Sequence, residues 1–250
     1  MVLTAGLVGV VFGQAASSRD AALPGTPVLV ELFTSEGCSD CPPADALLAR
    51  LEATQFVPGA HAIVLSEHVT YWNHLGWRDP FSFEEMTERQ EEYRARFGLE
   101  SSYTPQMVVD GSMQFVGSDA GALRNAVARA AAAPKAKLAL EDVRWTGKDV
   151  RFAVRGPADA GAKLVAVLAE NAAGSEAARG ENAGRILHHV AVVRILKEFG
   201  PNADDGRPLR LSATTLAGGQ AATHTFRLVV FLADGKTGQV LAVAERTLNP

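Results

Sequence analysis

Two cysteines are the residues of this sequence whose type and spacing most directly indicate chemistry. Cys38 and Cys41 are the only cysteines in the 250-residue chain, and two residues separate them in the segment FTSEGCSDCPPADALLARLE. An apolar periodicity from about Ala44 to Ala53 predicts that a helix begins just after them. Near the start of a helix, free backbone N–H groups and the helix dipole stabilise a thiolate. This spacing favours a dithiol in which Cys38 attacks a disulfide and Cys41 resolves the mixed disulfide.

The same two cysteines allow two other interpretations. Together with His68 and His74 they supply thiolate and imidazole ligands, a set that is typical of a copper-binding protein. The pair His188–His189 lies on a predicted strand, where adjacent side chains point to opposite faces, so the two are not expected to serve one site. In the third interpretation, the disulfide is only a staple in a non-enzymatic envelope binding module, although so short a ring constrains the unfolded chain little.

Other candidate site residues flank the cysteines in the sequence. Glu31 lies on the predicted strand before the cysteine loop and is a candidate buried proton acceptor; the alternative is an ordinary solvated or paired carboxylate. The segment VTYWNHLGWRDPF, residues 69–81, concentrates aromatic side chains. We predict that Tyr71, Trp72 and Trp77 bind an extended or unfolded peptide, because rigid aromatic side chains give contact area at little entropic cost. The alternative is a small satellite core packed under a long loop.

The elements that must position these residues follow two different patterns along the chain. Up to residue 134, strand and helix patterns alternate. Strands are predicted at 27–33, 61–66, 106–109 and 113–116, and helices at 44–53, 82–97 and 119–133. Beyond residue 134, alternating apolar residues and turn signals predict only strands, at 137–144, 149–154, 163–170, 187–197, 223–232 and 239–248. The sequence therefore predicts an α/β domain at 26–134 followed by an all-β sandwich-like domain at 135–250.

The N-terminal segment and the charge balance indicate compartment and partners. Residues 2–13 form an apolar run too short to span a bilayer comfortably, and small residues follow it, as in a secretory signal peptide at residues 1–20. This predicts a periplasmic or secreted protein that does not span the membrane after signal cleavage. The chain carries 24 basic and 28 acidic residues without a long run of one sign, so no nucleic-acid partner is expected. No cofactor is expected, and a protein partner is expected to bind the all-β domain.

Three motifs, in this order, resemble known proteins. The CSDC motif after a buried strand, with the segment YTP directly before the strand QMVVDG, resembles the thioredoxin superfamily. The segments FTSEGCSDCPPAD, SEHVTYWNHLGWRDPF and YTPQMVVDG together resemble, more closely, the secreted bacterial proteins catalogued as domain of unknown function 1223. This resemblance is strongest over residues 26–134.

The resemblance implies a thioredoxin-like fold for the first domain and a role for each motif. Cys38 is then the attacking thiol and Cys41 the resolving thiol. Pro105 is a cis-proline that, with Thr104, holds the substrate backbone beside the sulfur. The chemistry of the cysteine pair and the resemblance to the thioredoxin superfamily together predict an exported thiol–disulfide oxidoreductase, whose partners are protein thiols or disulfides.

Overall fold

The structure is a computed structural model that describes residues 25–146, 148–157, 161–200, 203–214 and 225–248. The predicted signal peptide lies outside these residues. In the described part of the chain, the α-helices are α1 (Pro42–Thr54), α2 (Glu84–Phe97) and α3 (Ala120–Ala132), each within two residues of its predicted bounds. The strands are β1 (Thr26–Thr34), β2 (Ala60–His68), β3 (Gln106–Val109), β4 (Met113–Val116), β5 (Ala139–Trp145), β6 (Asp149–Arg155), β7 (Ala162–Glu176), β8 (Ile186–Phe199), β9 (Asp205–Ser212), β10 (Phe226–Asp234) and β11 (Val240–Leu248).

Local capping explains where the helices begin and end. α3 begins after Asp119, whose side chain accepts hydrogen bonds from the N–H groups of Gly121 and Ala122. α2 ends at Gly98, which has a φ of 65° in the left-handed region that glycine adopts without a steric penalty. Because these signals are local, the sequence predicts the helix bounds well.

Eight strands from both halves of the chain form one mixed sheet, in the order β11-β10-β7-β8-β2-β1-β3-β4. β1 and β2 are parallel, and β8 joins β2 in parallel at Ser66 and Val192. The prediction of a thioredoxin-like α/β domain followed by a separate all-β sandwich is therefore wrong. The predicted boundary at residues 134–135 falls between α3 and β5, but the large sheet continues across the two halves through the β2–β8 pairing.

Burial patterns show why the sequence does not predict which strands pair with β7 and β8. Consecutive residues are buried in β7, from Leu164 to Glu170, and in β8, from Ala191 to Val193. Such runs are typical of strands with both faces covered, and they do not identify the neighbouring strand. One face of β7 and β10 contributes to a core that also contains residues of β1 and β2, and the opposite face contributes to a second core.

The second core lies against a three-stranded sheet in the order β5-β6-β9. Alternation along β10 separates the two cores, because Val229 and Phe231 belong to the first and Leu228 and Val230 to the second. β9 was not predicted, because Gly206 and Pro208 interrupt its pattern. β9 lies at the edge of its sheet, where a proline is tolerated.

The position of β8 beside β2 determines what lies near the cysteines. The β7–β8 hairpin continues past the point where β8 meets β2, and its tip, residues 177–185, reaches the loop between β1 and α1. The second half of the chain therefore supplies part of the candidate site. Over the described residues, no helix is long and apolar enough to cross a membrane.

Candidate functional site

The two cysteines form a disulfide in the loop between β1 and α1. Cys41 is the last residue before α1, and its carbonyl accepts hydrogen bonds from the N–H groups of Ala44 (2.9 Å) and Asp45 (3.1 Å). Pro42 and the proline after it occupy the first helical positions, where a missing N–H group costs no helical hydrogen bond. The pair therefore lies at the start of a helix, as predicted. Both cysteines are buried, with exposed fractions of 2% for Cys38 and 0% for Cys41.

The Thr104–Pro105 segment lies beside Cys38. Its peptide bond is cis, as the resemblance implies. The carbonyl oxygen of Thr104 lies 3.9 Å from Cys38 Sγ. A Cβ atom on Gly117 would lie 3.1 Å from the Cβ atoms of both Pro105 and Ala44, so the close approach requires glycine and places Pro105 beside the first turn of α1. The structure thus brings the predicted cysteines and the predicted proline segment together.

The aromatic segment packs around the same loop. The indole N–H of Trp72 donates to Thr104 Oγ1 (2.8 Å), and that of Trp77 donates to Glu36 Oε2 (2.8 Å). A Cβ on Gly37 would lie only 2.9 Å from Trp72 Cβ, which explains the glycine before Cys38. Tyr71, Trp72 and Trp77 are all partly buried, so they hold the loop in place and still present part of their surface to solvent.

Tyr71 has a separate environment on the α2 side of the segment. Its hydroxyl donates to Gln90 Oε1 (3.1 Å), and Gln90 in turn donates to the carbonyl of Tyr103. Burial raises the pKa of Tyr71 to about 12, and the hydrogen bond with Gln90 offsets only part of this effect. The phenol is therefore neutral at physiological pH and acts as a hydrogen-bonding group.

Glu36, which sequence reasoning missed, is the central acidic group behind the cysteine loop. Its carboxylate is fully buried and accepts hydrogen bonds from Trp77, from Ser175 Oγ (2.8 and 2.7 Å) and from His189 Nε2 (3.2 Å). Burial by itself raises the pKa of Glu36, but the hydrogen bonds from His189, Ser175 and Trp77 outweigh burial and lower it. The side chain is therefore a carboxylate two residues before Cys38.

His189 lies between two acids that flank the cysteine loop. Its Nε2 donates to Glu36, and its Nδ1 lies 3.6 Å from Asp45 Oδ1, an ion-pair distance. Burial lowers the pKa of His189, but the neighbouring carboxylates of Asp45 and Glu36 raise it to about 10. The imidazole is therefore protonated at neutral pH. His188 is exposed and His189 is buried, which confirms that these two side chains point to opposite faces.

His68 belongs to the same buried group. Its Nδ1 lies 2.7 Å from Asp79 Oδ2, its Nε2 lies 3.3 Å from Ser66 Oγ, and its ring centroid lies 4.5 Å from that of His189. Asp79 Oδ2 also accepts a hydrogen bond from the N–H of Glu36 (2.8 Å). Burial raises the pKa of Asp79. The charge and hydrogen bond of His68, together with the backbone N–H groups of Glu36 and Phe81, outweigh burial and lower it overall.

The alternative copper ligands do not form one cluster. Both ring nitrogens of His68 have protein partners, as described above. His74 is exposed, and its Nδ1 lies 2.6 Å from the carbonyl oxygen of Tyr71. Within the described ranges, no group of three or more Cys, His, Asp or Glu side chains is arranged to hold a metal ion.

Glu31 has partners other than the cysteines. Its Oε1 accepts hydrogen bonds from Arg89 and its Oε2 accepts one from Tyr93 Oη (2.7 Å), both on α2. A second buried acid, Glu67, lies 3.4 Å from Arg89 Nε. The structure therefore places Glu31 in a separate buried cluster and places Glu36 next to the cysteine loop.

The tip of the β7–β8 hairpin covers the cysteine loop. Asn182 is buried, and its side-chain amide donates to the carbonyls of both Glu36 and Cys38 (2.9 Å each). Glu181 accepts a hydrogen bond from the N–H of Ser39 (3.1 Å). Sequence reasoning gave no signal for these contacts, because more than 140 residues separate the partners along the chain. The one signal in the sequence for this group was Glu36 itself, which lies two residues before Cys38.

Comparisons with known proteins identify the family and the fold. Residues 29–233 match the family described as Protein of unknown function (DUF1223). No curated protein matches the chain. Among solved structures, an X-ray crystal structure of a protein from Agrobacterium tumefaciens is similar, with 24% sequence identity, a TM-score of 0.66, and coverage of 91% of this chain and 96% of that chain. At this identity the similarity supports a shared fold alone. Because the family match extends over most of the sequence, the chain belongs to the DUF1223 family.

Proposed function

We propose that the protein is an exported thiol–disulfide oxidoreductase whose reacting groups are Cys38 and Cys41. The observation that carries the proposal is their disulfide at the N-terminus of α1, in a loop that also contains the buried Glu36, whose carboxylate contacts His189. A ring closed over so few residues does little to stabilise a fold of this size, so its position at a helix start favours a redox role.

The exchange takes place in two steps. A thiolate of the partner attacks Cys38 Sγ, the Cys38–Cys41 bond breaks, and Cys41 leaves as a thiolate that takes a proton from solvent. A second thiolate of the partner then attacks the partner's sulfur in the mixed disulfide, and Cys38 leaves as a thiolate that also takes a proton from solvent. Two electrons and two protons pass to the protein, and the partner gains a disulfide. The reverse sequence reduces a partner disulfide.

Cys38 is the better candidate for the sulfur that the partner contacts. Cys38 precedes the helix, and its Sγ faces the carbonyl of Thr104 in the cis-proline segment. Cys41 adjoins the first helical turn, whose N–H groups bind its backbone carbonyl. Since Cys38 is almost fully buried, exchange requires a displacement of the groups that cover it. Those groups are the aromatic segment and the hairpin tip, and the partly exposed Trp72 is in a position to contact the partner.

An oxidising compartment suits this chemistry. The apolar run at residues 2–13 supports export to the periplasm or outside the cell. In such a compartment, a disulfide persists unless a partner reduces it.

Trapping of the mixed disulfide tests the proposal. With Cys41→Ser, Cys38 has no resolving partner, so incubation with a disulfide-containing peptide should accumulate a covalent adduct that mass spectrometry detects. Cys38→Ser is the matched variant and should accumulate much less adduct. The wild-type protein should also accelerate exchange between glutathione and the peptide. An exchange rate no higher than that of the Cys38→Ser/Cys41→Ser double variant would leave only a structural role for the disulfide.

A further inference from the structure

One cation from the second half of the chain lies between the two acids that flank the cysteine loop. His189, on β8, contacts Glu36 through Nε2 and Asp45 through Nδ1. We propose that His189 is a positioning residue that, through Glu36 and Asp45, sets the redox equilibrium of the Cys38–Cys41 pair. The inference rests on the proposed thiol–disulfide exchange and assigns the control of its direction.

Chain connectivity couples these charges to the sulfurs. Glu36 is two residues before Cys38, and Asp45 is in the first turn of α1, where its N–H donates to the carbonyl of Cys41 (3.1 Å). Side-chain contacts fix both acids, because Thr34 Oγ1 donates to Asp45 Oδ1 (3.0 Å) and Ser175 Oγ donates to Glu36. The charges therefore cannot move away when the disulfide opens.

Burial makes the effect of these charges large. Glu36, Asp45 and His189 are all buried, so water and salt screen them less than surface charges. Reduction of the disulfide creates a thiol that can ionise in the loop that the two carboxylates and the imidazolium flank. The carboxylates disfavour the thiolate and the imidazolium favours it.

Other charged or titratable groups lie near His189 and the cysteine loop. His68 on β2 packs against the His189 ring, and Asp79 accepts hydrogen bonds from His68 and from the N–H of Glu36. Asp40 and Glu181 lie on the exposed side of the cysteine loop. These groups are the same in every variant below.

Two substitutions should shift the equilibrium in opposite directions. His189→Gln removes the cation and leaves both carboxylates, so the thiolate is disfavoured and the disulfide is favoured. Glu36→Gln replaces one carboxylate by a neutral amide of nearly the same shape, so the dithiol is favoured. In the double variant Glu36→Gln/His189→Gln the two charge changes cancel in part, and its equilibrium should lie between those of the single variants. A role in packing alone predicts a different result, in which the double variant is perturbed at least as much as either single variant.

Equilibration with glutathione measures the effect. The balanced reaction is protein disulfide plus two glutathione thiols giving protein dithiol plus glutathione disulfide, and alkylation followed by mass spectrometry reports the dithiol fraction. We expect the equilibrium constant to fall about tenfold in His189→Gln, which corresponds to about 30 mV for this two-electron couple, and to rise by a similar factor in Glu36→Gln. The apparent pKa of the reactive thiol, from the pH dependence of alkylation, should rise in the first variant and fall in the second. His188→Gln, at the exposed neighbouring position, should leave both quantities unchanged.

The outcomes separate this inference from the proposed function. Wild-type protein that exchanges with glutathione while His189→Gln and Glu36→Gln shift in the same direction, or not at all, would overturn the inference and leave the exchange activity in place. Asp45→Asn should shift the equilibrium in the same direction as Glu36→Gln, and it provides the same test if Glu36→Gln does not fold. A wild-type disulfide that does not exchange with glutathione would overturn both.

Discussion

Glu67→Gln should make the protein more stable at neutral pH. Both carboxylate oxygens of Glu67 are buried and, over the described residues, neither accepts a hydrogen bond; the contact with Arg89 is an ion pair at 3.4 Å. Burial, together with the charge of Glu31, raises the pKa of Glu67 well above 4.5, and Arg89 offsets only part of this effect. The Arg89 guanidinium therefore forms ion pairs with two buried acids, Glu31 and Glu67. A protonated Glu67 can donate a hydrogen bond to Glu31. Glutamine has nearly the same shape and keeps a donor for Glu31.

The sign of the pH dependence follows from where the proton is bound. The unfolded chain loses the Glu67 proton as the pH rises through 4.5, whereas the folded protein loses it only at a higher pH. The contribution of Glu67 to the free energy of unfolding is therefore largest below pH 4.5 and decreases as the pH rises toward the folded-state pKa, by up to about 1.4 kcal/mol per pH unit. Between pH 5 and pH 7 this loss is at most about 3 kcal/mol, and Glu67→Gln should abolish it.

Urea unfolding at a series of pH values measures this effect. The wild-type protein should lose stability between pH 5 and pH 7, and Glu67→Gln should be more stable by about 2 kcal/mol at pH 7, with the difference disappearing toward pH 4. Glu85→Gln, at an exposed position of α2, is the matched control and should follow the wild type. Parallel pH profiles for the wild type and Glu67→Gln would refute the reasoning, because they would show that Glu67 is not protonated in the folded state.

Three further predictions concern the groups that cover the disulfide. Asn182→Ala removes two hydrogen bonds of about 1 kcal/mol each, so the hairpin tip should open about 30-fold more often and dithiothreitol should reduce the disulfide faster by up to that factor. Asn125→Ala, at an exposed position of α3, should leave the rate unchanged. Trp72→Phe loses the bond to Thr104 and should slow exchange with a protein disulfide several-fold more than exchange with glutathione disulfide; equal losses, or a similar loss in Trp145→Phe on β5, would contradict a recognition role. Gly37→Ala places a methyl group 2.9 Å from Trp72 Cβ and should lower the free energy of unfolding in urea by about 1–3 kcal/mol; unchanged stability would show that the loop adjusts freely.

Local features of the candidate site followed from the sequence. The spacing of Cys38 and Cys41 before an apolar periodic segment placed the pair at the start of a helix, and α1 begins at Pro42. Such features depend on a few consecutive residues, because capping and helix periodicity act within one or two turns. The aromatic segment was also found from its composition, and it packs around the cysteine loop through Trp72 and Trp77.

The role of an acid near the cysteines was not predictable in the same way. Glu31 was chosen because it precedes the loop on a strand, but alternating side chains of a strand point to opposite faces. Its partners are Arg89 and Tyr93 on α2, which no local pattern indicates. Glu36 is the buried acid beside the loop, and its ionisation depends on His189, which lies 153 residues away along the chain.

By itself, the sequence determined the cysteine pair, the helix that follows it and most of the individual strands. The tertiary structure alone decided that β8 pairs with β2, so that strands from both halves form one sheet. That pairing brings His189 and Asn182 to the cysteine loop. The physical reason is that an apolar strand pattern specifies burial without specifying a partner, whereas long-range contacts such as these arise only when the chain packs as a whole.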